Sequence, residues 1–174
     1  MAGSLILLET VTASDDASVT LGTTDWDNSY DVYMVTLDSV TPATDEAYLR
    51  MRFTTTSDNS FDSSSNYDRG AKELRAGTTF GDSSSTNADG FNFIENGTAT
   101  SETHNGTQYL FNFNNASEYS FATFQEVSLL YDGELRGRQG GGVLTVSQAT
   151  NGVNYFYSSG NVASGEFKLY GIVK

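Results

Sequence analysis

The chain carries a single histidine, His104, and no cysteine. Thiol catalysis, disulfides and thiolate metal sites are therefore excluded, and any nucleophile–histidine–acid arrangement must use that one imidazole. His104 lies in a turn-like context, Ser-Glu-Thr-His-Asn-Gly-Thr, and no Gly-x-Ser-x-Gly elbow accompanies it. The expectation is an exposed loop histidine with no catalytic role. Two carboxylates about 5 to 10 Å apart can hydrolyse a glycoside, and Glu118, Glu126, Asp132, Glu134 and Glu166 lie in or beside predicted strands. Among 22 acidic residues some pair meets that spacing by chance, so no enzyme is expected. Oxygen ligands for Ca2+ cluster at Asp25-x-Asp27-Asn28, at Asp58-Asn59-x-x-x-Asp62 and from Asp82 to Asp89. None has the spacing of an EF-hand loop. Solvated acidic loops are the plainer expectation, with no cofactor and with Ca2+ as the one ion these loops would suit. Trp26, set in Asp25-Trp26-Asp27-Asn28, and the run Tyr155-Phe156-Tyr157 are the candidates for stacking on a glycan. A partly buried packing role for Trp26 is the stronger reading.

The elements that must position these residues read as strands. Ser, Thr, Asn and Gly fill 72 of the 174 positions, a usage that disfavours helices and suits pleated faces and reversals. Alternation marks Leu5 to Val11, Ala17 to Leu21, Tyr30 to Val40, Ala47 to Thr55, Phe91 to Ile94, Gln108 to Phe113, Ser120 to Tyr131, Val143 to Val146 and Glu166 to Val173. In the first run Leu5, Leu7, Glu9 and Val11 share one side, opposite Ile6, Leu8 and Thr10. Residues 56–66 and 81–90 read as polar loops, and Ala71 to Ala76 fits a short helix or an edge strand equally. Pro42 is placed in a turn. Asp132-Gly133 and Asn151-Gly152 are hairpin signals, and Gly140-Gly141-Gly142 permits a sharp reversal or bulge. Eight to ten strands at this spacing predict an all-β fold: an antiparallel β-sandwich of jelly-roll type, one domain over residues 1–174, its first and last strands close together.

Charge narrows the partners. The net charge of −13 and pI near 4.1 lack the basic footprint that nucleic acid requires. The longest strictly apolar run, Leu5 to Leu8, is too short to cross a bilayer, so no membrane partner is expected. Aromatic residues at 13% exceed what a disordered chain carries and supply a thin core.

The segment Ser158 to Ile172, SSGNVASGEFKLYGI, resembles the C-terminal ending of a family of small structural proteins of tailed phages, notably marine and cyanobacterial ones. The opening SLILLETVTASDDASVTL, the stretch YDVYMVTLDSVTPATD from Tyr30 to Asp45, and LFNFNNASEY at 110–119 are similar to that family as well. Asn114 stands where the family often has proline. The resemblance implies a virion protein, with no catalytic residues to carry over. The expectation is a capsid decoration or cement protein on the outer capsid surface, a trimer bound to the major capsid protein. Residues 1–12 would form an anchoring strand, and the partner contacts would be its Leu5, Ile6, Leu7 and Leu8 together with Phe167, Leu169 and Tyr170, which also close the sheet. The alternative is a tail, fibre or head-spike component whose loops, with Trp26, bind host glycans.

Overall fold

The computed structural model describes residues 4–23, 26, 29–55, 58–77 and 79–173. Twelve strands form, and no α-helix occurs among the described residues. They are β1 (Leu5–Asp16), β2 (Val19–Gly22), β3 (Val32–Pro42), β4 (Ala47–Thr55), β5 (Tyr67–Arg75) and β6 (Gly81–Ala88). The second half supplies β7 (Phe91–Asn96), β8 (His104–Phe111), β9 (Ser120–Leu129), β10 (Leu135–Leu144), β11 (Thr150–Tyr157) and β12 (Val162–Ile172).

These strands make two antiparallel sheets, an eight-stranded one ordered β1-β12-β3-β8-β9-β10-β5-β6 and a four-stranded one ordered β2-β11-β4-β7. The fold is all-β, a β-sandwich, as the composition requires. The chain passes from one sheet to the other between β1 and β2, β2 and β3, β3 and β4, β4 and β5, β6 and β7, β7 and β8, β10 and β11, and β11 and β12. The hairpins β5–β6 and β9–β10 both join the larger sheet. The first and last strands pair along most of their length, from Leu5 opposite Ile172 to Asp16 opposite Val162.

Alternation sets the core. Val35, Leu37, Phe167 and Leu169 of the large sheet and Leu49, Met51, Phe53, Phe93 and Tyr155 of the small one are buried in a single cluster. Phe53 meets Tyr67, Phe91 and Phe113 edge-on, at centroid distances of 5.9, 5.5 and 4.9 Å, the arrangement that aromatic quadrupoles favour.

Five local expectations are corrected. Ala71 to Arg75 is strand, one of its two expected readings, but an interior strand and not an edge, because β5 pairs with β10 on one side and β6 on the other. Residues 81–88 are the edge strand β6, held on β5 by backbone pairing that a polar sequence satisfies as well as an apolar one. Gly140 to Gly142 makes no reversal and lies in register between β9 and β5. A Cβ on Gly142 would sit 2.3 Å from the Phe91 ring, so close approach explains this glycine. Asn151-Gly152 lies inside β11, where a Cβ on Gly152 would strike the Leu21 carbonyl at 2.4 Å. Pro42 closes β3 itself. The Asp132-Gly133 turn forms as expected, with Gly133 at φ +82° and Leu130 N donating to Glu134 O at 3.0 Å.

Candidate functional site

The N-terminal end of β1 lies on the border of the large sheet, with β12 on one side and, among the described residues, no strand on the other. Its register slips between Leu7 and Glu9. This bulge at Leu8 breaks the expected alternation. Glu9 and Val11 oppose the buried Leu169 and Phe167, whereas Leu5 and Leu7 oppose Ile172 and Tyr170 on the outer face. Leu5, Ile6 and Leu7 are 51%, 41% and 53% exposed. Leu8 packs against the core, and Glu9 turns inward to accept a 2.7 Å hydrogen bond from Gly22 N. The anchoring residues thus divide into three exposed side chains and one half-buried one.

At the paired strand β12, Phe167 and Leu169 are fully buried. They close the sandwich and present nothing to a partner, a correction to their expected contact role that follows from their register opposite Leu37 and Val35. Tyr170 faces outward between Leu7 and Met34 and is half-buried.

His104 is not a loop residue. It begins β8 and is completely buried, at one end of a polar stripe across the inner face of four strands. Glu126 on β9, Arg138 on β10 and Glu73 on β5 stand directly opposite one another in register. Arg138 Nη2 donates to Glu73 Oε1 at 2.5 Å, and its Nη1 lies 3.6 Å from Glu126 Oε1. Glu126 Oε2 accepts from Ile94 N at 3.2 Å and lies 3.3 Å from His104 Nε2. Arg69 completes the cluster, donating to Ser83 Oγ at 3.0 Å while its Nε and Nη1 lack partners.

Burial dominates the ionisation of this cluster. It pushes Glu126 up to about 8 and, with Arg138 nearby, His104 down to about 3. Burial opposes ionisation of Glu73 as well, yet the hydrogen bonds from Arg75 and Arg138 outweigh it and hold that carboxyl below its usual range. His104 and Glu126 have the hydrogen-bond spacing of an acid–base pair, but both side chains are sealed in the sandwich, and no substrate reaches either atom without opening it. The signal for this stripe was available: Ala122, Phe124 and Glu126 share one face of an alternating run, which places that carboxylate inward.

The remaining candidates scatter. Glu118 is exposed beside a shallow depression, while Asp132 accepts from Glu134 N and Glu134 pairs with Arg136 at 2.6 Å, both within their turn. Glu166 pairs with Lys168 on the outer face. Asp25, Asp27 and Asn28 lie outside the described residues. Asp58 Oδ1 accepts from Ser60 N at 3.0 Å within its own turn, and Asp62 accepts from Ser64 N at 2.8 Å through Oδ1 and from Gln148 Nε2 at 2.5 Å through Oδ2. Asp82 pairs with Lys72, and Asp89 with Arg50 and Arg52. Among the described residues no three acidic or histidine side chains converge as a metal site.

Trp26 is half-buried and packs on Tyr33 and Phe113, at centroid distances of 3.9 and 5.3 Å, the partly buried packing role expected of it. Tyr155 and Tyr157 are buried, whereas Phe156 lies on the outer face under Arg52, whose guanidinium carbon is 4.5 Å above the ring. No family model, curated protein or solved structure matches this chain.

Proposed function

We propose that this protein is a structural component of a tailed-phage virion, a capsid decoration protein that cements the major-capsid lattice from its outer surface. The observation that carries the reading is the bare apolar end of β1, where Leu5, Ile6 and Leu7 stand exposed on a border strand with an unpaired backbone edge. Such an edge is a template for strand addition. A strand of the major capsid protein would pair with it and cover the three side chains.

Three further features support the reading. The segment Ser158 to Ile172 and the opening run carry the resemblance to phage structural proteins. The charge of −13 keeps a protein present in many copies from adhering to itself or to the packaged genome. The two four-strand sets β1-β12-β3-β8 and β2-β11-β4-β7 are read as a jelly roll, with β5, β6, β9 and β10 as hairpin insertions that widen one sheet; virion proteins use that architecture. A non-enzymatic trimer at three-fold lattice positions is the assembly this role calls for.

The test is binding to particles that lack the protein. The double variant Leu5→Glu with Leu7→Glu should leave the circular-dichroism spectrum unchanged, because both side chains are already in water; deletion of residues 1–8, which also removes the half-buried Leu8 and the pairing of Leu5 to Leu7 with β12, should keep a β spectrum. Both should lower particle-bound copies by about tenfold or more, the loss that about 1.4 kcal/mol produces. Full occupancy by either folded variant refutes the reading.

A further inference from the structure

We infer that the outer face of the large sheet holds a binding groove for neutral oligosaccharide, over β8, β9 and β10 and away from the β1 edge. The depression there has a volume of about 610 Å³ and is lined by Thr107, Tyr109, Thr123, Gln125 and Gln139. Register explains its shape. Thr107, Gln125, Gln139 and Lys72 form one row across β8, β9, β10 and β5, and Tyr109, Thr123, Gly141 and Gly70 form the next. Two glycines in the second row leave it open beyond Thr123, and a Cβ built on Gly70 meets nothing within 4 Å.

The lining selects the ligand. Thr107, Tyr109, Thr123, Gln125 and Gln139 all line the depression, and all but the half-buried Thr107 are exposed. Five side chains thus offer hydroxyl and amide groups, as both donors and acceptors, to whatever fills the groove. Tyr109 is 39% exposed, and Phe121 stands diagonally beside it on the same face, so two rings can lie against the apolar faces of pyranose units. The nearest cation, Lys72, is paired with Asp82. With −13 on the chain an anionic glycan or nucleic acid is repelled, while the amides and hydroxyls exclude a purely apolar occupant. A neutral, hydroxyl-rich chain satisfies all of these groups. Trp26 is half-buried against Tyr33 and Phe113, the packing role that the sequence favoured for it, and lies outside this groove.

Affinity electrophoresis through gels containing dextran, mannan, laminarin, xylan or galactomannan tests this, with heparin as the anionic control. The intact protein should be retarded by at least one neutral polysaccharide and not by heparin. Tyr109→Ala should weaken that binding by about tenfold. Gly70→Leu, whose side chain enters open space and leaves the fold intact, should shorten the groove and weaken binding as well. Gln125→Ala with Gln139→Ala removes both amides and should do likewise. No retardation by any neutral polysaccharide overturns the inference, as does retardation that survives all three variants. So does a sedimenting homo-oligomer that Gly70→Leu disperses, because the face would then be covered by a second copy. Particle binding by the three variants stays at the intact protein's level, which separates this result from the fate of the β1 edge.

Discussion

Replacing Glu126 with Gln tests the sealed polar stripe through the pH dependence of stability. In the folded protein Glu126 keeps its proton up to about 8, against an ordinary value of 4.5, because burial outweighs the opposing pull of Arg138. Folding therefore takes up a proton between those values, and the stability contributed by the neutral carboxyl, complete below pH 4.5, is lost as pH rises through this window. His104 has the opposite sign. Its folded value of about 3 lies below the ordinary 6.5, so its contribution is complete above pH 6.5 and lost as pH falls. Between 4.5 and 6.5 the two slopes cancel, since folding moves a proton from the imidazole to the carboxyl without net uptake. Above 6.5 only Glu126 acts, at about 1.4 kcal/mol per pH unit, or about 2 kcal/mol by pH 8. Glu126→Gln keeps the volume and an acceptor for Ile94 N but does not titrate. Urea unfolding followed by far-ultraviolet circular dichroism at pH 5, 6, 7 and 8 should show the variant's advantage growing by about 1.4 kcal/mol per pH unit. Glu73 and Asp89, both held low by arginines, titrate in both proteins and cancel in the difference. Stability curves that run parallel from pH 5 to 8 would refute the assignment of a neutral Glu126.

Two further substitutions check the packing. Gly142→Ala should cost about 3 kcal/mol, because its methyl group would meet the buried Phe91 ring at 2.3 Å and the Asp68 carbonyl at 2.8 Å. Gly70→Ala, in open space, should instead be neutral or stabilising by about 0.5 kcal/mol. Equal melting shifts for the pair would contradict this account. Asp89→Ala removes the shared partner of Arg50 and Arg52, yet that carboxylate side chain is 45% exposed, so the loss should stay below about 1 kcal/mol and vanish at high salt. A loss of several kcal/mol that persists in salt would show that the Arg52–Phe156 stack depends on Asp89.

Composition and alternation were sufficient to establish the all-β class and most strands, because a two-residue period is a local property that any half-buried strand must display. Ala47–Thr55 is the clearest instance: Leu49, Met51 and Phe53 face the core while Arg50 and Arg52 face out. The apolar run Leu5 to Leu8 was readable as a strand, whereas its place at the border, with Leu5, Ile6 and Leu7 exposed, came from the order of the strands. Other features depended on long-range pairing. His104 and Glu126 are 22 positions apart, and only the β8–β9 register brings their side chains together. Gly140 to Gly142 read as a reversal because a glycine run signals backbone freedom, whereas the Phe91 ring at Gly142 and the β5 residues Gly70 and Ala71 at Gly140 take the space a side chain would need. The polar β6 shows the same limit, since backbone hydrogen bonds to β5 can hold a strand that has no apolar stripe. By itself the sequence determined which residues alternate and how much charge the surface carries, both properties of neighbours along the chain. The tertiary structure alone decided which polar side chains are sealed inside and which rows form a groove, because both follow from register between distant strands.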